Sequence, residues 1–183
     1  MLKIIENIDW WLFDLINKRF ANDLFDAFFP YITNMHKKIE IQILILLILL
    51  FWFWRQKKKM LKVLLVLTLS LAFSDLVTYR ILKQAFQRTR PNNLPEIHAI
   101  VRDNHPKKFS FPSNHATNTM TGAVILAQVF PAARWAFFVY AGLIAYSRVY
   151  SGVHFPFDVL AGLFIGYWLG KLCWFVTKKT KFL

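Results

Sequence analysis

From Ile41 to Trp54, fourteen consecutive positions carry one polar side chain, Gln42. As helix, these fourteen residues rise only about 21 Å, short of the roughly 30 Å hydrocarbon core of a bilayer. The run crosses if it extends back toward Met35, with Lys37 and Lys38 snorkelling to the surface. Runs of this kind dominate the chain: 183 residues, 56% hydrophobic, mean hydropathy +0.37. That composition reads as one compact membrane-embedded domain over 1–183 rather than a soluble one.

Polar punctuation divides the apolar sequence. Arg55-Gln56-Lys57-Lys58-Lys59 is the densest basic run and reads as a turn. A second span follows from about Met60 to Leu82, with Asp75 inside it. A carboxylate at that depth either serves the site or makes a structural hydrogen bond to a neighbouring helix. Asp75, Tyr79 and Lys83 share a face at spacings of four, so a role for Asp75 would be support of the site. Gln84 to Phe111 forms a long polar loop. Its Arg88, Arg102, Lys107 and Lys108 either gather an anionic headgroup or form a solvated surface, and its His98 and His105 read as solvated. The third span runs from about Ser113 to Phe130, the fourth follows the Pro131–Arg134 turn and ends at Arg148, and the fifth runs from Pro156 to about Val176.

Residues 1–34 differ in kind. Ile4, Ile5, Ile8, Trp11, Leu12, Leu15 and Ile16 fall near helical spacing, with Glu6, Asp9, Asp14 and Asn17 elsewhere. This predicts amphipathic helices in the interface, and the acids argue against a cleavable signal peptide. The expected fold is therefore all-α and integral to the membrane. About five transmembrane helices (35–183, with an outer-face loop 83–112) follow amphipathic N-terminal helices. By alternation, if the Arg55–Lys59 turn is inside, so are Pro131–Arg134 and the C-terminal lysines. Trp52, Trp54, Trp135 and Trp174 then form an inner belt.

The formal charge of +13 admits nucleic acid, anionic lipid or an anionic substrate as partner. Nucleic acid is disfavoured, because the cations flank apolar runs and fit no recognisable binding motif. The single Cys173 excludes an intramolecular disulfide and reads as a small apolar residue in the last helix.

Candidate chemistry gathers at the ends of the apolar segments. Lys83 and Arg90 lie seven residues apart, close to two helical turns, so one helix face can present both before Pro91 stops it. Pro112-Ser113-Asn114-His115 reads as a helix start with Ser113 as N-cap. In Arg148 to Asp158, Pro156 suits the first position of a helix. His154 then lies at its mouth, with Asp158 four residues on to fix the imidazole tautomer.

The chain resembles the type 2 phosphatidic acid phosphatase superfamily, whose signature is K-x6-RP, then PSxH, then R-x5-H-x3-D. Lys83 to Arg90-Pro91, Pro112 to His115, and Arg148 to His154 to Asp158 match every position in order and spacing. The resemblance implies that His154 attacks phosphorus and becomes a phosphohistidine, oriented by Asp158. It makes His115 the acid for the departing hydroxyl and then the base for water. Lys83, Arg90 and Arg148 clamp the phosphoryl oxygens, with Ser113 and the Gly152 N–H adding hydrogen bonds. Asp75 and Asn114 are candidates for supporting the site. No metal and no cofactor are expected, since His and carboxylate spacings outside the motifs are irregular.

Small bacterial members of the superfamily include undecaprenyl diphosphate phosphatases, phosphatidylglycerophosphatases and lipid A 1-phosphatases. The chain is similar to these, which implies a lipid phosphate substrate in the bacterial inner membrane. A phosphotransferase passing the phosphoryl group to another lipid would carry the same motifs. Degenerate motifs would have favoured an inactive protein binding anionic lipids, and these are intact.

Overall fold

The computed structural model describes residues 2–103, 109–180 and 182, and every regular element among the described residues is helical. His105, Lys107 and Lys108 lie outside the described residues. Helix α1 (Leu2–Asp14) runs through a π-helical turn at Leu15–Arg19 toward α2 (Asp23–Asn34). Helix α3 (Ile39–Asp75) continues through a second π-helical segment, Leu76–Leu82, into the short α4 (Lys83–Phe86). An irregular loop then leads to α5 (Asn114–Val129), α6 (Arg134–Tyr150) and α7 (Pro156–Lys179).

Helix α3 consists of two arms. Its backbone leaves helical angles at Gln56 (φ −147°, ψ 54°). Trp52 packs on Phe130 just past the end of α5, ring centroids 5.4 Å apart, whereas Ser74 donates to Asn118 near the start of α5 at 2.8 Å. His36, just before α3, lies within electrostatic reach of His115 in the first turn of α5. The chain therefore leaves the α5 N-terminal end, reverses at Gln56 and returns by Ser74. The basic turn expected over Arg55–Lys59 is narrowed to a single non-helical residue.

By length and apolarity, two helical stretches qualify as membrane-crossing: Ile39–Phe86 (48 residues) and Pro156–Lys179 (24 residues). Along the first arm of α3, nine apolar side chains between Ile43 and Phe53 are exposed, from 39% at Phe53 to 63% at Phe51. In water each would forgo about 1.5–3 kcal/mol of burial, together enough to offset the roughly 5–15 kcal/mol by which a domain is stable. In lipid that cost disappears.

The packed core sits at the end where α5 and α7 begin and α6 finishes. Phe13 of α1, Ile97, Ala116 of α5, Ala145 and Val149 of α6, and Phe155 and Val159 form one buried cluster. Phe29 and Ile32 of α2 close over Ile144 and Tyr150. The amphipathic N-terminal helix is present, and its polar positions have a use beyond solvation. Ile4, Ile5, Ile8 and Trp11 face outward, while Asp9, Phe13 and Asn17, spaced by four, are buried. Asn17 donates to the carbonyls of Ile100 and Tyr150 (both 2.8 Å) and accepts the Ile100 N–H (2.8 Å).

Arg102 is a clasp for the same region. Its Nε donates to Asp26 at 2.6 Å, one Nη donates to the Asn17 and Tyr150 carbonyls (2.9 and 3.0 Å), and the guanidinium lies 4.4 Å from the Tyr150 ring centroid. Neither role considered for Arg102 from sequence, headgroup capture or solvated surface, describes it.

Candidate active site

The site begins with the start of α7. Pro156 takes the first helical position after the extended Phe155, and the Asp158 carboxylate reaches back to accept the Phe155 N–H at 2.9 Å. This carboxylate-to-backbone cap answers a donor that a helix start leaves unpaired. It also fixes Asp158 beneath His154, whose Nδ1 lies 3.5 Å from Asp158 Oδ2. That separation is an electrostatic contact beyond hydrogen-bond geometry, and His154 Nδ1 has no hydrogen-bond partner among the described residues. The other ring nitrogen, Nε2, faces the Arg90 guanidinium at 3.0 Å. His154 is 2% exposed and Asp158 fully buried.

The expected cations converge here. Lys83, Arg90 and Arg148 are 3%, 6% and 5% exposed, so each is withdrawn from water. Burial, then the charges of Arg90, Lys83 and Arg148 and the ring of His115, hold the His154 imidazole well below its usual value, which favours the neutral ring. Burial and the neighbouring Arg148 lower Arg90 to about 10, with Asp158 opposing. Lys83 donates to the carbonyls of Phe109 (2.9 Å) and Ser110 (3.2 Å). Arg90 donates to the Val153 carbonyl at 2.7 Å, tying the basic loop to the segment that carries His154.

One local expectation is corrected. Lys83 and Arg90 do not share a helix: α4 ends at Phe86, Gln87 adopts a left-handed conformation (φ 46°) and Arg90 is extended (φ −79°, ψ 152°). A residue before proline is driven out of the α region by the proline ring. Arg90 therefore reaches the site from a loop.

Ser113 stands at the N-cap position of α5, but its hydroxyl makes no capping bond, a second correction. Its Oγ is buried without a hydrogen-bond partner among the described residues. Its N–H donates to the Asp158 carbonyl at 3.0 Å, stitching the start of α5 to the start of α7. His115, in the first turn of α5, is exposed. Asn114 donates to Asp75 at 2.9 Å, so the two candidates for supporting the site bond each other across α5 and α3. Gly152 has φ +79° and its N–H donates to Val149 O at 2.9 Å. A Cβ there would lie 2.5 Å from the Ile100 carbonyl oxygen, so no larger residue fits this bend.

Four polar residues given no role at the site from sequence complete the surroundings. Arg88 donates to Asp158 Oδ1 (2.8 Å) and to Asp9 Oδ2 (2.6 Å), and Asp9 also accepts the Phe157 N–H (2.8 Å). Arg148 donates to Asp103 (2.6 Å) and Thr33 Oγ1 (3.1 Å), while its Nε is buried and unpartnered among the described residues. Their sequence signal was weak: an aspartate on an amphipathic helix and an arginine in a basic loop look like surface groups. No group of three or more His, Cys, Asp or Glu side chains among the described residues could hold a metal ion.

Residues 59–182 match the PAP2 superfamily. The chain is 37% identical over 98 residues to an undecaprenyl-diphosphatase of Sulfolobus acidocaldarius, covering 53% of this chain and 47% of that protein. It is 34% identical over 105 residues to a lipid A 1-phosphatase of Rhizobium johnstonii, covering 56% and 43%. The chain thus spans about half the length of the curated relatives it matches. Its fold is similar to that of Aquifex aeolicus LpxE (TM-score 0.65, 30% identity, 88% of this chain and 92% of that one). It is also similar to a PAP2 type phosphatidylglycerolphosphate phosphatase from Bacillus subtilis (TM-score 0.69, 26% identity, 96% and 87%). With the family match covering most of its length and the motif side chains gathered around one buried histidine, the chain belongs to the PAP2 superfamily.

Proposed function

We propose that this protein is a membrane lipid phosphatase that removes phosphate from a lipid mono- or diphosphate through a phosphohistidine. The observation that carries the reading is the seat of His154: a buried imidazole with Nε2 toward Arg90 and Nδ1 toward Asp158. In this reaction Nε2 bonds to phosphorus as the phosphorus–lipid oxygen bond breaks, and the departing oxygen takes its proton from His115. The ring becomes cationic and Asp158 offsets that charge. His115 then takes a proton from water, which displaces phosphate from His154. Lys83, Arg90 and Arg148 neutralise the phosphoryl oxygens. Arg148 Nε and Ser113 Oγ, both buried without partners among the described residues, are donors suited to them.

The bundle is read as crossing the membrane five times, with the two arms of α3 followed by α5, α6 and α7. The site then opens on the outer face of a bacterial inner membrane and the lipid tail stays among the helices. Relatives named for lipid A phosphatase and undecaprenyl-diphosphatase activity make lipid A 1-phosphate and undecaprenyl diphosphate the favoured substrates, ahead of phosphatidylglycerophosphate.

The test is phosphate release by purified protein in detergent over a panel of these lipids, with and without a chelator. Release by the wild type, unaffected by EDTA and abolished in His154→Ala and His115→Ala, is expected. Full turnover by either variant overturns the residue roles, dependence on metal overturns the metal-free mechanism, and no release from any lipid overturns the phosphatase reading.

A further inference from the structure

Beneath His154, two buried carboxylates from opposite ends of the chain share one guanidinium. Asp158 on α7 and Asp9 on α1 are both 0% exposed, and Arg88 places one Nη on each, at 2.8 and 2.6 Å. The flat face of the same guanidinium covers the Phe155 ring at 4.3 Å from its centroid. Arg88 therefore has both ends and one face engaged within the protein. Asp9 spends its second oxygen on the Phe157 N–H at 2.8 Å. The residues flanking Pro156 are thus gripped from two directions, Phe155 by Asp158 and Phe157 by Asp9.

We propose that Arg88 and Asp9 are positioning residues for phosphoryl transfer, holding Asp158, and through it the His154 ring, in the orientation from which Nε2 attacks. The inference rests on the phosphatase reading and deepens it. Asp158 must stay anionic for the transfer step, because the imidazole that bonds to phosphorus becomes a cation. It is fully buried, and desolvation favours the neutral acid unless a positive group is bonded to it. The charged groups facing it are Arg88 and Arg90 from the loop, Lys83 from α4, His154 above it and Asp9 from α1. Lys83 and Arg90 are the groups proposed to bind substrate, so Arg88 is the cation bonded to Asp158 that has no part in binding it. Asp9 keeps Arg88 in place: a guanidinium bound at one end can pivot, and one bound at both cannot.

The network also explains why an amphipathic helix outside the recognised motifs belongs to the catalytic unit. Asp9 is the point at which α1 touches the chemistry, and its carboxyl is raised by burial against the opposing pull of Phe157 N–H and Arg88.

The experiment compares wild-type full-length protein with Arg88→Met, Arg88→Lys and Asp9→Asn. The substrates are farnesyl diphosphate and dioleoyl phosphatidic acid in detergent, and thermal unfolding is recorded for each variant. Misplacing a reacting group by about 1 Å can cost 10²-fold. Arg88→Met should accordingly lower kcat roughly 100-fold at unchanged KM, and Asp9→Asn roughly tenfold, since neither residue touches substrate. Arg88→Lys keeps the charge without the fork and should recover part of the loss. If Arg88→Met fails to fold, Arg88→Lys and Asp9→Asn decide the matter alone. Folded variants with wild-type kcat overturn the proposal, as does a raised KM at constant kcat. A wild type inactive on both lipids and on the wider panel overturns this proposal together with the phosphatase reading, whereas an active wild type with indifferent variants overturns this proposal alone.

Discussion

The proposed reaction starts from His154 as a buried neutral ring, and burial is the first cause of its lowered proton affinity, followed by Arg90, Lys83, Arg148 and His115. The consequence has a definite sign. The nucleophile stays unprotonated below the ordinary imidazole value of about 6.5, so the acidic limb of kcat/KM assigned to it should lie below that pH. A pH profile of phosphate release from pH 4 to 9 checks this, and a limb at or above about 6.5 contradicts it. The unfolded chain takes up the proton first as pH falls. The stability tied to this group is therefore full above about 6.5 and declines below it. Gly152 supplies the second prediction at this scale. Its positive φ costs a Cβ-bearing residue about 1–2 kcal/mol, and the Ile100 carbonyl leaves no room for the added atom. Gly152→Ala should lower the thermal midpoint and lower activity further, because the bend sets the approach of His154.

At the scale of elements, the two histidines are brought into register by the crossing of α5 and α7. Gly162, Gly166 and Gly170 line α7 at intervals of four, against Ser113, Thr117, Thr121 and Val124 of α5. Thr121 donates to the Gly166 carbonyl at 3.1 Å, an approach that requires helices in near-backbone contact. A Cβ at Gly166 would overlap the Thr117 carbonyl oxygen, whereas one at Gly142 of α6 meets nothing within 4 Å. Gly166→Ala should therefore destabilise the protein by about 1–3 kcal/mol and depress turnover by shifting His115 relative to His154. Gly142→Ala should be neutral or stabilising by up to about 1 kcal/mol. Thermal unfolding and phosphate release of the pair decide it. The glycine spacing is present in the sequence, but only the fold shows that α5 packs against it. The end of α4 was not legible, because helical spacing from Lys83 carried the expected helix on toward Pro91, whereas the chain leaves the helix at Gln87.

At the scale of the molecule, the alternation of spans makes a prediction about sidedness. In a Cys173→Ser background, Asn93→Cys in the site-side loop should react with a membrane-impermeant maleimide in intact cells. Lys58→Cys, beside the Gln56 reversal, should react only after permeabilisation. Equal labelling of both, or the reverse order, would contradict the orientation. The same scale shows why residues 1–34 matter. Asn17 bonds to Ile100 and Tyr150, Thr33 to Arg148, and Asp9 to Arg88, so the N-terminal helices are wired into the basic loop and the motif segments.

The sequence by itself determined the solvent, the helical class and the motif residues, because each is written locally: apolar run length, proline and cap positions, and fixed spacings between cations, histidines and a carboxylate. Tertiary structure alone decided which other side chains meet them. Asp9 and Arg88 are 79 residues apart and Arg148 and Asp103 are 45 apart. Whether a charged residue faces water or a buried partner depends on where the far segment lands, and no local pattern carries that information. A buried ion pair forms only when the fold has already brought both charges out of water together.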